Sequence, residues 1–312
     1  MAVSTPRPSL PSSAARGLHL GLDIGGTKTQ AVIVNARLAT LAEASAPTRP
    51  GPEGVLATID EVTGLLGANL TRFASIGVGI PGLVDFRTGR VRQAVNVGLR
   101  DLDLAAALAA RTTCPVRVDN DVKATALGAA YALPGAGGDL VYLNVGTGIA
   151  LAAVVDGRLL RGHDNAAGEI GHLAVDPGGD LCPCGQRGCL ETLAAGWSVS
   201  QRLAQAGLDL ASLADDPAPA AVSERRRLLR GLSLAASLAA LSFDPATILF
   251  GGGVITTAVG LVEKVAAHLA EQEAGSSFLA HLGLSRRVVQ APAGLPIAAI
   301  GAAALGFAES VG

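Results

Sequence analysis

The sequence predicts an α/β protein built from two related domains, and three observations carry that expectation. Short apolar strands alternate with stretches of helical periodicity along the whole chain, which argues for helices layered on sheets. The segments DIGGT at 23–27 and NVGTG at 144–148 occupy similar strand-and-turn contexts and read as an internal repeat. A length of 312 residues allows one large domain or two of ordinary size, with a core that needs no disulfide scaffold. Hairpins at both glycine-rich turns argue against a uniformly parallel dinucleotide-binding sheet.

The elements follow in order. LHLGLDIG at 18–25 is the first strand, Gly25 and Gly26 permit a tight hairpin, and Ala31 to Val34 resume an extended apolar pattern. Val55, Ile59, Val62 and Leu66 recur at helical spacing, so a helix is expected over 53–66. ASIGVGIPG at 74–82 reads as a strand ending in a proline-glycine turn, followed by a return strand at 89–94 and a helix near 102–111. Val116 to Val118 is a short strand that runs into an alanine-rich helix after Asp121. Strands at 139–145 and 149–155 flank the GTG turn. Helices are expected at 190–206 and 223–242, joined by a loop containing Pro217 and Pro219. A strand at 247–250, a triple-glycine turn, a helix through 259–273, a strand at 286–290 and a helix at 296–309 complete the chain.

Composition excludes several functions. Apolar residues make up 49% and charged residues 16%, a folded globular balance. A formal charge of −2 exerts no general pull on nucleic acid or an anionic membrane, and 3% aromatic residues argue against a platform for stacking bases. Mean hydropathy is positive, yet LRGLSLAASLAALSF at 229–243 is interrupted by polar residues and falls short of the ~20 residues that span a bilayer. Buried alanine-rich helices account for it. Residues 1–17 contain Pro6, Pro8 and Pro11 and no apolar signal core, so they read as a flexible leader on a cytoplasmic protein.

Chemistry concentrates in a few segments. AAGEIGHLAVDPGGDLCPCGQRGCLE supplies His172, Cys182, Cys184 and Cys189, an imidazole and three thiols that suit a closed tetrahedral zinc site. Gly185 and Gly188 make the turns around the short Cys182–Cys184 gap possible; free thiols or a partial disulfide are the alternatives. Cys114 stands apart and reads as a packed thiol. Glu169, His172 and Glu191 could accept hydrogen bonds from a polyhydroxylated ligand, or the two glutamates could be exposed or pair with Arg187. The turns Gly25-Gly26-Thr27-Lys28 and Gly146-Thr147-Gly148 can present backbone N–H groups to phosphate, while Asp23 could hold the water shell of a magnesium ion. Neither a complete P-loop nor a GxGxxG fingerprint is present. Asp121 is placed to accept a hydroxyl proton, with helix capping as the alternative; Asn120 could orient a sugar, and Asp119 reads as a surface carboxylate.

Taken in order, DIGGTK at 23–28, GIPG at 79–82, ND at 120–121, GTG at 146–148, GEIGH at 168–172, CPCGQRGCLE at 182–191 and GGG at 251–253 resemble the ROK family of sugar kinases, repressors and related open reading frames. The resemblance covers all but the leader. It implies an actin-like, ribonuclease-H-like ATPase fold, with two α/β domains flanking a cleft. The smaller domain would be 18–121, completed by the C-terminal helix 296–312, and the larger 122–295, with an inserted zinc-binding loop at 172–191. Phosphates are implied near Asp23, Gly25, Gly26, Thr27 and Lys28 and near Gly146, Thr147 and Gly148, and the nucleoside near Gly251, Gly252 and Gly253. Asp121 matches the catalytic base. Asn96, Asn120, Asp121, Glu169, His172 and Glu191 match sugar-facing positions, His172 serving zinc through one ring nitrogen and sugar through the other.

The implied reaction is ATP-dependent phosphorylation of a hexose at its 6-hydroxyl, with structural Zn2+ and with Mg2+ accompanying ATP. Glucose is the expected acceptor, and N-acetylglucosamine and N-acetylmannosamine are the alternatives. A sugar-responsive regulator or a non-catalytic sugar-binding protein is the competing class; the 17 residues before Leu18 are too few for a helix-turn-helix module. No nucleic-acid or membrane partner is expected, and the resemblance implies a homodimer or higher homo-oligomer. Two departures from the family pattern stand out. The second phosphate turn continues as GTGIALA at 146–152 where the family commonly has GTGIGGG, and Leu99 occupies a position that is often aromatic.

Overall fold

The computed structural model describes residues 17–133 and 138–307. Residues 1–16 of the expected leader and 308–312 of the expected C-terminal helix lie outside the described residues.

In chain order, β1 (His19–Ile24), β2 (Lys28–Val34) and β3 (Thr40–Pro47) precede α1 (Pro52–Leu65). Then come β4 (Ser75–Ile80), β5 (Leu83–Asp85), β6 (Arg90–Ala94), β7 (Leu99–Asp103), α2 (Leu104–Ala109), β8 (Val116–Asn120) and α3 (Asp121–Ala132). The central part holds β9 (Leu140–Val145), β10 (Ile149–Val155), β11 (Arg158–Leu159), α4 (Leu190–Ala194), α5 (Gly196–Ala206) and α6 (Pro219–Phe243). Last are β12 (Thr247–Gly251), α7 (Gly253–Thr257), α8 (Leu261–Ala274), α9 (Ser277–Leu282), β13 (Val288–Gln290) and α10 (Ile297–Leu305).

Two five-stranded sheets share one plan. The first has the order β3-β2-β1-β4-β8 and the second β11-β10-β9-β12-β13, so each begins its central strand, folds back as a hairpin and then adds two strands on the other side. In the first, β1 is antiparallel to β2 and parallel to β4, and β4 is parallel to β8. In the second, β12 is parallel to both β9 and β13. The repeat read from DIGGT and NVGTG is therefore a repeat of topology, each motif closing the same central hairpin. A small antiparallel sheet, β5-β6-β7, is added between β4 and α2.

The chain forms two compact units. The first takes the described parts of Met1–Gly138, Val154–Ala167 and Gly294–Gly312, and the second takes Asp139–Ala153 and Gly168–Ala293. An N-terminal domain ending at Asp121 differs from this division, because α3 and the segment 154–167 stay with the first unit. The reason is packing: α3 meets α10 so closely that a Cβ on Gly128 would lie 2.1 Å from the Ile297 carbonyl oxygen. Gly21 and Gly77 let α10 sit directly on the sheet, where Cβ atoms would fall 1.9 Å from Ala299 O and 1.7 Å from Ala302 O. Leu20, Leu22, Ile59, Ile76 and Ile80 fill the other side of that sheet. The second unit has its own core, around Leu143, Leu190, Leu232, Phe250 and Ile255.

Three local readings differ from the structure. The expected helix at 190–206 is two helices that break at Ala195, and the helix expected after the triple glycine is α7 and α8, separated at Gly260 with φ +81°. Pro219 is not in a loop but at the start of α6, where its missing N–H costs nothing. Strands β3, β5 and β7 and helix α9 had no sequence signal; β3 (TLAEASAP) is mostly uncovered, with only Ala46 buried, and α9 buries no residue. No described helix is long and apolar enough to cross a membrane.

Candidate active site

In the first unit, the ends of β1 and β8 bring together the residues expected to meet substrate. Asp23 stands near the end of β1, and Asp121 opens α3 directly after β8. Burial pushes the Asp23 carboxyl up to about 7, the negative charge of Asp121 adds to the rise, and Lys28 opposes it. Two carboxylates raising one another's cost is an arrangement that a hard divalent cation relieves, so the donor set fits the magnesium expected with ATP. Neither Gly25 nor Gly26 needs the left-handed backbone expected of a tight hairpin. They are small because neighbours crowd them: a Cβ would lie 2.9 Å from Lys28 O at Gly25 and 3.1 Å from Asn96 O at Gly26. That approach sets the exposed Asn96, in a 3-10 turn at Val95–Val97, beside the Asp23–Lys28 turn.

Capping of α3 falls to Asn120. Its Oδ1 accepts from the N–H groups of Val122 (3.0 Å) and Lys123 (3.2 Å), and its Nδ2 donates to Gly82 O at 3.3 Å. Both ends of the amide are thereby oriented. The Asp121 Oδ1 accepts from Val122 N at 2.9 Å. Asp119 is not a surface carboxylate: at 1% exposure it accepts from Arg161 Nε at 2.8 Å and Asn165 Nδ2 at 3.0 Å. The Arg161 guanidinium also lies over the Phe86 ring, and the buried Lys123 Nζ donates to Asn165 O at 3.0 Å. These contacts fasten the segment 154–167 to the strand end that carries Asn120 and Asp121. No sequence pattern distinguished Lys123, Arg161 or Asn165.

In the second unit, His172, Cys182, Cys184 and Cys189 place their ligand atoms within 4.8 Å of one another. Cys184 Sγ is 3.6 Å from Cys189 Sγ, and Cys182 Sγ is 3.9 Å from His172 Nδ1. With Zn–S bonds of ~2.3 Å, tetrahedral geometry separates thiolates by about 3.8 Å, so the four residues fit zinc as they stand. His172 turns Nδ1 toward Cys182 Sγ. Gly185 (φ +93°) and Gly188 (φ +67°) make the turns expected of them, and a Cβ on Gly188 would strike Asp176 O at 1.5 Å. Hydrogen bonding from the Gln186 backbone lowers the Cys184 thiol to about 6, whereas burial, reinforced by its two thiol neighbours, pushes Cys189 up to about 12. A bound divalent cation would favour the thiolate form of all three. Cys114 is partly buried, its Sγ 3.2 Å from Thr112 Oγ1.

Glu191 follows directly from this loop, on the first turn of α4. Its Oε1 accepts from Ile149 N at 2.9 Å and its Oε2 from Trp197 Nε1 at 3.2 Å, so its partners are these two and not Arg187. Glu169 is exposed, immediately before a 3-10 turn at Ile170–His172. The break at Ala195 has a structural purpose. Gly196 N and Trp197 N donate not to the preceding helical turn but to Gly146 O (2.8 Å) and Thr147 O (3.1 Å). The acceptors thereby released, Thr192 O and Leu193 O, are taken by Arg202 at 2.8 and 2.9 Å, and Thr192 O also by Arg227 at 3.2 Å. A trans peptide points its N–H opposite its C=O, so the Thr147 and Gly148 N–H groups face away from α5. Two successive N–H groups on one side of a glycine turn form an anion-binding nest.

The third glycine segment closes β12. A Cβ on Gly251 would lie 2.6 Å from Tyr142 Oη, and one on Gly252, which has φ +95°, would lie 2.6 Å from Val145 O. Gly253 opens α7 with nothing within 4 Å of its Cβ position, leaving open space at the place expected for a nucleoside. Arg202, Arg227 and Trp197 were not identified from sequence. Arg202 is the one arginine of α5 and Arg227 one of four in α6, and the break before Gly196 leaves the carbonyls that both of them bind.

Known proteins match this chain over nearly its whole length. The ROK family model matches residues 19–308. The solved ROK hexokinase from Thermus thermophilus is 32% identical with a TM-score of 0.77, covering 93% of this chain and 98% of that one. A ROK family glucokinase from Streptomyces griseus, solved with glucose and AMPPNP, is 29% identical with a TM-score of 0.74, covering 93% and 99%. The N-acetylmannosamine kinase of Salmonella arizonae is 30% identical over 287 residues, 90% of this chain and 97% of that protein. With matched folds at these coverages and a family model spanning nearly every described residue, the protein belongs to the ROK family of sugar kinases and regulators, on the kinase side of it.

Proposed function

We propose that the protein transfers the γ-phosphoryl group of ATP to the 6-hydroxyl of a hexose, with glucose as the acceptor. One observation carries the reading: Glu191, a carboxylate suited to sugar hydroxyls, is hydrogen-bonded to the amide that directly follows the Gly146–Gly148 turn. Acceptor recognition and phosphate recognition are thus adjacent on one rigid segment. Asp121 takes the proton of the attacking hydroxyl, while Thr147 and Gly148 N–H groups bind phosphate oxygens as charge develops on them. Asn96, Asn120, Glu169 and the Nε2 of His172 hold the remaining sugar hydroxyls. Asp23 would hold the magnesium that accompanies ATP, and that ion supplies charge neutralisation at the phosphates. Zinc would fix the 172–189 loop, from which α4 and Glu191 start.

The glucose assignment is supported by the likeness to the glucokinase that was solved with glucose and AMPPNP. The likeness to an N-acetylmannosamine kinase supports an acetamido sugar as the second reading. A panel of glucose, mannose, N-acetylglucosamine and N-acetylmannosamine with coupled ADP detection separates them. The expected outcome is the highest kcat/KM on glucose; turnover confined to an acetamido sugar overturns that choice.

A further inference from the structure

We propose that Trp197 is a positioning residue that ties the sugar-binding carboxylate to the phosphate turn and makes acceptor and nucleotide binding cooperative. The inference rests on the kinase reading above and names a residue which that reading does not use.

Trp197 is bonded in both directions. Its indole Nε1–H donates to Glu191 Oε2 at 3.2 Å, and its backbone N–H donates to Thr147 O at 3.1 Å. Glu191 closes the circuit by accepting Ile149 N–H on its other oxygen at 2.9 Å. Side chain, turn and helix start therefore form one ring of hydrogen bonds. There is no slack in it, since a Cβ on Gly148 would lie 2.5 Å from Glu191 Oε1. Gly196 N–H, bonded to Gly146 O at 2.8 Å, holds the other end of the turn to the same helix start.

The physical consequence concerns where Glu191 can move. Free to rotate, a glutamate on the first turn of a five-residue helix would sample several rotamers, and a sugar would have to order it on binding. Held by the indole and by Ile149, the carboxylate is ordered beforehand, and each oxygen keeps lone-pair capacity for a sugar hydroxyl. A hydroxyl that draws on Glu191 alters its bond with Ile149, whose peptide continues the turn that presents Thr147 and Gly148 N–H groups. Phosphate binding at those groups acts back through the same bonds. A coupling of this kind is reciprocal: each ligand must tighten the other by the same factor.

Trp197 is the chain's only tryptophan, so its emission reports this ring directly. The experiment uses the full-length zinc-loaded protein, titrated with glucose, with N-acetylmannosamine and with Mg-AMPPNP, alone and in pairs. The expected result is that a sugar the enzyme phosphorylates and the nucleotide each shift the Trp197 emission, and each lowers the other's midpoint severalfold. Trp197→Phe keeps the ring and removes the N–H. It should raise the sugar KM about tenfold, the size of a lost hydrogen bond to a charged group, with a smaller change in kcat. It should also reduce the reciprocal tightening, measured by calorimetry. Trp197→His, which restores a ring donor, should recover part of the sugar KM.

An emission unmoved by saturating sugar in an enzyme that turns that sugar over overturns the inference and leaves the kinase reading intact. So does a Phe variant with wild-type KM and wild-type coupling. Absence of both turnover and emission change with every sugar of the panel overturns the kinase reading itself. If the Phe variant does not fold, the titrations on the unaltered protein decide alone.

Discussion

Asp121 and Asp23 have separate duties that substitution can tell apart. With helix capping assigned to Asn120, a change of Asp121 to asparagine leaves the start of α3 supported. Asp121→Asn should lower kcat at least about a hundredfold with sugar binding retained, since general-base catalysis contributes on that scale; near-normal ADP formation would remove Asp121 from the role. Asp23 has a pH signature. Its carboxyl is raised from 3.8 to about 7 in the folded protein, first by burial, so its protonated form is favoured by folding. Below about pH 4 it is protonated folded and unfolded alike, and nothing is lost. Between about pH 4 and 7 the unfolded chain ionises while the folded one resists, and stability falls by up to a few kcal/mol. Asp23→Asn abolishes that loss. Thermal melts of the ligand-free protein should therefore show the variant no more stable near pH 4 and clearly more stable at pH 8; an equal Tm difference at both would contradict the assignment.

At the scale of elements, the zinc loop and the α4–α5 break form one construction. Cys189 belongs to the cluster that could hold a metal and is also the residue before α4, so a bound metal would set where that helix begins and where Glu191 points. Cys184→Ser should lower the zinc content per chain and raise the sugar KM severalfold together. Zinc loss with unchanged sugar affinity and stability would separate the metal from the sugar site. The break at Ala195 was not legible because residues 190–206 have continuous helical periodicity, and propensity favours one helix. What wins is tertiary: the turn at 146–148 offers two carbonyls to Gly196 and Trp197, and Arg202 and Arg227 satisfy the carbonyls released. Likewise, Asp119 read as a surface carboxylate because its partners, Arg161 and Asn165, are 42 and 46 residues away.

Across the whole molecule, each unit closes through segments distant in sequence. In the first unit α10 returns from the C-terminal end to lie on β1, β4 and α3, against backbone exposed by Gly21, Gly77 and Gly128. Gly77→Ala should destabilise the protein by about 3 kcal/mol or more, because a methyl 1.7 Å from Ala302 O forces helix and sheet apart; a chemical-denaturation midpoint within error of wild type would show that α10 can give way. The sequence by itself determined the layered α/β class, the duplicated strand-turn-strand plan, the His/Cys quartet that could hold a metal, and the motifs that resemble the ROK family. These are local: periodicity, glycine turns and close ligand spacing all lie within short windows. Tertiary structure alone decided that α3 and 154–167 belong with the first unit, that Asn120 caps α3, and that Glu191, Trp197 and the 146–148 turn share one ring of hydrogen bonds. Each of those depends on which backbone groups a distant segment leaves to be satisfied, and buried groups take their partners from wherever the fold supplies them.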